Sequence, residues 1–120
     1  MEKGNAVIDG SFLLAIRIVN LYKYLTVDKK EFVLSKQLLR SGTSVGANVR
    51  ESKHAESTAD FLHKLGIAQK ECAETQYWLE LLHATDYLSD TAFNSIYYDC
   101  TVLQKIITKI ITTTKRNKLQ

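Results

Sequence analysis

The sequence predicts an all-α protein: an up-down-up-down antiparallel four-helix bundle, built as one domain over residues 1–120. Three observations lead there. Proline is absent and glycine occurs five times, so the frequent turns of a strand-rich fold have little to be built from. Apolar residues recur three and four positions apart in four stretches, the period of a helix that buries one face. The polar segments between those stretches are short, and short links between long helices make sequential neighbours antiparallel.

The first helix is expected to start at a cap on Asp9 or Ser11 and to run to about Leu25, with Leu14, Ile18, Leu21, Tyr22 and Leu25 as its stripe. Thr26-Val27-Asp28 is a short link, and Asp28 is the candidate cap for a second helix from Lys29 to about Lys53. Leu34, Leu38, Val45 and Val49 share one face of it. Its centre, Ser41 to Ala47, has poor helix propensity and leaves two readings open: a loop, or a helical stretch of small residues that admits a neighbouring backbone. Gly42 and Gly46 stand four apart on one face, which favours the packed helix.

Ser57 or Thr58 caps the third helix, which runs to about His83 on a stripe of Phe61, Leu65, Ala68, Cys72 and Leu79. A second apolar line on this helix, Ile67, Trp78 and Leu81, is expected to meet another subunit. Ser89 caps the fourth, whose broad apolar face includes Phe93, Ile96, Tyr97, Cys100, Leu103 and Ile107. Cys72 and Cys100 have neither the density of a disulfide framework nor the spacing of a zinc site, and read as buried free thiols. Met1 to Gly10 lacks a basic segment followed by an apolar run, and no stretch reaches the about 20 apolar residues of a membrane span. A cytoplasmic location is the expectation.

Catalytic patterns are scarce. Glu51 to His54 and Glu80 to His83 match the Glu-x-x-His element of di-iron bundles, but both sit at C-terminal ends of consecutive antiparallel helices. At 1.5 Å per residue the two are about 30 Å apart, so no shared metal site is expected. Gly42 to Gly46 lacks the Lys-Ser/Thr and the preceding strand of a phosphate loop. No enzyme activity and no cofactor are expected.

Charge is the stronger signal. The net +3 conceals +4 over residues 29–70, −6 over residues 71–104 and +5 over residues 105–120. Such segregation steers an anionic partner or pairs subunits. Lys29, Lys36, Arg40, Arg50, Lys53, Lys64, Lys105 and Lys109 are the candidate phosphate contacts, with no sign of base-specific readout. Arg40, Asn48, Arg50, Glu71 and Glu74 are expected to form a polar cluster that holds the second helix to the third or to a neighbouring subunit.

Gln37-Leu38-Leu39-Arg40-Ser41 and Ser44-Val45-Gly46-Ala47-Asn48-Val49-Arg50-Glu51 resemble the hallmark segment of the bacterial four helix bundle protein family. Its founding members are encoded in intervening sequences of 23S ribosomal RNA genes. The likeness continues through Phe61, Leu65, Ile67-Ala68, Glu71, Glu74-Thr75, Leu79 and Tyr87-Leu88-Ser89. Relatives place Gly after the Asn-x-x-Glu element where this chain has Ser52. The resemblance implies a ring-like homopentamer without enzymatic activity. A similar group, the accessory proteins of diversity-generating retroelements, implies binding to nucleic acid and to a reverse transcriptase. The leading expectation is therefore a non-catalytic oligomer that associates with structured RNA. The alternative is an assembly module whose target is a protein such as a polymerase.

Overall fold

Four helices, α1 (Ala6–Val27), α2 (Leu34–Ser52), α3 (Thr58–Ala84) and α4 (Asp90–Leu119), make up a computed structural model that describes residues 6–119. Residues 1–5, part of the N-terminal stretch read for a leader, lie outside the described residues. Each helix packs on its sequence neighbours, and α4 closes the ring onto α1, which is the expected up-down-up-down order. The bundle measures 51 × 26 × 22 Å.

The expected stripes form one core. Leu14, Ile18, Leu38, Val45, Leu65 and Leu79 are among its buried members, and Cys72 and Cys100 are buried free thiols as the sequence suggested. Burial pushes the Cys72 thiol up to about 11 and raises that of Cys100 further, so both stay protonated and inert.

The centre of α2 is helical throughout. Gly42 faces Ile18 of α1 so closely that a Cβ there would lie 2.7 Å from Ile18 Cγ1. One turn on, a Cβ at Gly46 would come within 3.3 Å of the Ser11 carbonyl oxygen. The two glycines are thus the contact surface that lets α1 and α2 approach. The neighbouring hydroxyls fold onto the helix itself: Thr43 Oγ1 donates to Leu39 O at 2.7 Å and Ser44 Oγ to Arg40 O at 2.7 Å.

Two expected starts differ from the structure. α1 begins at Ala6, ahead of Asp9, and Ser11 is buried with its hydroxyl donating to Ile8 O at 3.0 Å, so neither residue is its cap. α2 begins at Leu34 and not at Lys29, because Lys30 takes φ 56° and turns the chain out of the helix. The cap is Glu31, not Asp28. Its carboxylate accepts the N–H groups of Val33 at 3.2 Å, Leu34 at 3.1 Å and Ser35 at 2.7 Å. Ser35 Oγ returns a hydrogen bond to Glu31 O at 2.8 Å. Burial pushes the Glu31 pKa up, but the donors of Ser35, Leu34 and Val33 outweigh it and hold the carboxyl below its ordinary value. The other two caps match: Ser57 accepts from Asp60 N at 3.0 Å and Ser89 from Ala92 N at 3.1 Å.

Candidate nucleic-acid interface

Antiparallel packing turns the charge blocks of the sequence into regions of the molecule. Residues 71–104 occupy the second part of α3, the turn after it and the first part of α4, which lies beside α3, and carry six acids and no Lys or Arg. The remainder of α4 carries Lys105, Lys109, Lys115, Arg116 and Lys118 and no acid.

The eight candidate phosphate contacts do not form one site. Lys29 belongs to the α1–α2 turn and Lys36 to the first turn of α2, at the opposite end of the bundle from Lys53. Lys29 Nζ lies 5.9 Å from the Tyr24 ring centroid. Arg40 reaches across to Glu71 at 2.8 Å and to Glu74, so two carboxylates already hold its charge. Lys64 pairs with Glu51 at 3.0 Å, and the Arg50 guanidinium stacks 5.3 Å over the Phe12 ring of α1. Lys36 and Lys53 are exposed and, among the described residues, make no ion pair.

Lys105 and Lys109 differ from these. With Arg116 they fall within about 40° on the outer face of α4, at 100° per residue, and span about 16 Å of its axis at 1.5 Å per residue. All three border a shallow groove of about 490 Å³ between α3 and α4, with Gln76, Thr101, Thr108 and Thr112. Polar side chains of α3 and α4 bond one another along the groove. Gln76 Nε2 donates to Thr101 Oγ1 at 3.3 Å, Gln69 Nε2 to Thr108 Oγ1 at 3.0 Å, and Gln104 Nε2 to Gln69 O at 2.9 Å. Gln104 Oε1 is buried without a donor among the described residues. Arg116 was legible only as part of the basic tail; its alignment with Lys105 and Lys109 required the helix to continue unbroken to Leu119.

The expected polar cluster is present in part. Glu74 Oε1 also accepts from Trp78 Nε1 at 3.3 Å, which ties α2, α3 and the indole together. The Glu74 carboxyl is held below its ordinary value, chiefly by Arg40, and the Arg40 guanidinium is correspondingly raised, chiefly by Glu74. Asn48 and Arg50 are not members. Each lies about 80° round α2 from Arg40, in opposite directions, and Asn48 Nδ2 donates to Ser44 O at 2.9 Å. Ile67, Trp78 and Leu81 are half-buried, and Trp78 packs against the core. Tyr77, edge-on to Trp78 at 5.0 Å, is the exposed aromatic of α3 at 56%.

The two Glu-x-x-His matches are at opposite ends and otherwise engaged. Glu51 holds Lys64, Glu80 accepts from Tyr97 Oη at 3.2 Å, and His83 stacks on Phe93 at 4.2 Å while bonding Asp90 at 2.7 Å. Burial raises the Tyr97 pKa and the Glu80 bond raises it further. Among the described residues no helix is long and apolar enough to cross a membrane.

The sequence model of the 23S rRNA-intervening sequence protein family matches residues 3–109. The chain belongs to that family. A crystal structure of a protein with unknown function from the S23 ribosomal protein family of Bacteroides thetaiotaomicron VPI-5482 superposes with a TM-score of 0.89 at 55% identity. The alignment covers 90% of this chain and 96% of that one. No curated protein matches. The family match ends at Lys109, so it takes in the first two cations of the α3–α4 groove and not Arg116.

Proposed function

We propose that this member of the 23S rRNA-intervening sequence protein family is a non-catalytic, self-assembling cytoplasmic protein that associates with structured RNA or nucleoprotein by phosphate contacts along the second part of α4. The observation that carries the reading is the cation row itself. Lys105, Lys109 and Arg116 share one face, border a hydroxyl-rich groove, and have no carboxylate partner among the described residues. Arg40 and Lys64, by contrast, are ion-paired within the bundle. Binding through phosphates needs positive charge in a row and no base-reading element. The acids at the other end orient the anionic partner towards the basic part of α4. The resemblance to ring-forming relatives supports a pentamer.

The test compares two charge reversals in titrations of a fluorescent RNA hairpin. Lys105→Glu with Lys109→Glu is expected to weaken binding and to lower the log–log salt slope by roughly 2. Lys29→Glu with Lys36→Glu, at the far end, is expected to leave the slope near that of the parent. Equal losses from both pairs would contradict the assignment to α4. No binding by the parent at low salt would replace RNA with a protein target such as a polymerase.

A further inference from the structure

The outer face of α4 carries more than cations. Tyr98, 67% exposed, falls within the same 40° as Lys105, Lys109 and Arg116, at 100° per residue. It stands seven residues before Lys105, about 10 Å further along the axis. From end to end the face thus presents one aromatic ring and then three cations, over about 27 Å. The two acids of α4 are engaged elsewhere, Asp90 with His83 and Asp99 with Arg17.

Other aromatic rings are engaged within the bundle. Trp78 bonds Glu74 and meets Tyr77 edge-on, Phe93 lies between His83 and Tyr97, Phe12 lies under Arg50, and Tyr24 faces Lys29. Among the described residues the Tyr98 ring has no aromatic or cationic partner, and its hydroxyl makes no hydrogen bond. Phe32 shares this freedom, but it belongs to the α1–α2 turn, far from the cation row. Beside Tyr98 a recess of about 270 Å³ runs between α4 and α1, with Leu13, Val102 and Ile106 among its walls. Val102, four residues on and 38% exposed, sets its methyl groups next to the ring. The end of the cation row is therefore a free apolar platform.

An exposed ring in line with phosphate-binding cations suits a nucleobase, because every base has a face that stacks. The number of rings decides the form of the RNA. A protein that tracks a single strand sets successive aromatics along its cations, whereas this row has one, at one end. Paired RNA asks only for the cations. We propose that one unpaired base of the bound RNA stacks on Tyr98, while the adjoining stem lies along Lys105, Lys109 and Arg116. This rests on the reading of α4 given above and narrows its partner from structured RNA to stems that carry an unpaired nucleotide. Stacking reads no base edge, so the preference is for an unpaired base and not for a sequence.

Three labelled RNA stems of one sequence test it: fully paired, with a single bulged nucleotide, and with the same bulge lacking its base. The full-length protein is expected to bind the bulged stem roughly 5- to 100-fold more tightly than either of the others. Tyr98→Ala is expected to bring all three to the affinity of the paired stem, with the melting temperature and the salt slope of the parent. Tyr98→Phe, which keeps the ring, is expected to keep the preference. Equal binding of the bulged and baseless stems by the parent, or a preference that survives in Tyr98→Ala, would overturn the inference and leave the phosphate contacts standing. No binding of any stem at low salt would overturn those contacts and this inference with them.

Discussion

α1 meets its two neighbours in contrasting ways. Against α2 it is closed at the glycines: Gly42 and Gly46 bring the backbones together, Ile18 is fully buried, and no room for a methyl group remains at Gly42, so that only a groove of about 210 Å³ is left on the outer side of the seam. Against α4 it is open, with cavities of about 450 and 270 Å³ along the seam. Arg17 bridges the gap, reaching Asp99 at 2.6 Å and Ser95 Oγ at 2.9 Å. The difference shows where the fold is tightly specified and where it is loosely packed. A seam fixed by glycine–isoleucine contact tolerates almost no change, whereas one clasped by a half-exposed ion pair contributes little stability.

The most damaging way to break this contrast is Gly42→Ala. Helix propensity alone would gain about 1 kcal/mol, but overpacking against Ile18 costs about 1–3 kcal/mol. The fully buried isoleucine cannot withdraw. We expect net destabilisation of about 1–2 kcal/mol, read as a melting temperature lowered by roughly 4–8 °C. In an Ile18→Ala background, which removes both γ-carbons that the new Cβ would meet, Gly42→Ala is expected to cost less than in the parent, a non-additive result that two unrelated defects would not give.

Glu31, in the turn that leads from α1 to α2, comes next. Glu31→Gln removes the charge from a carboxylate that accepts three backbone N–H groups, at a cost on the order of 1 kcal/mol near neutral pH. Its folded pKa is depressed, so the stabilisation is complete above the unfolded carboxyl value of about 4.3. It is lost as pH falls from there through the lower folded value. Urea melts of parent and variant should therefore differ at pH 7 and converge in acid. A gap that is unchanged down to the acid transition would show that the charge is not what caps α2.

The smallest effect has the opposite sign and belongs to the open seam. At Gly10 an added Cβ would lie 3.6 Å from Leu103 Cδ1, an ordinary contact. Gly10→Ala is expected to stabilise by about 0.5–1 kcal/mol through helix propensity. Destabilisation by this variant, measured in the same melts, would mean that the α1–α4 seam is as tightly specified as the other.

The helices were legible because periodicity, scarce turn residues and serine caps agree, and Ser57 and Ser89 cap α3 and α4 as read. The start of α2 was not. Glutamate is an uncommon cap, and the positive φ of Lys30 that brings Glu31 under the helix leaves no mark in composition. The small residues of α2 announced close packing, but only the three-dimensional pairing with Ile18 says which helix approaches. In the candidate site, Arg40 with Glu71 and Glu74 was readable from the segments they share, whereas Arg50 was misplaced because its direction about α2 points it to Phe12. Charge in sequence likewise could not tell paired cations from unpaired ones. Counting Lys64 and Arg40 as available cations ignored the carboxylates that the neighbouring helix brings to them.

The central claim, phosphate contact through the basic part of α4, is tested most directly by titrating the full-length protein into a labelled RNA hairpin at 50 and 200 mM salt. With three phosphates engaged per chain by Lys105, Lys109 and Arg116, affinity should fall by roughly 20- to 50-fold between the two conditions. The loss should be the same for hairpins of unrelated sequence. An affinity that holds across the fourfold rise in salt, or that depends on the loop sequence, would contradict the account.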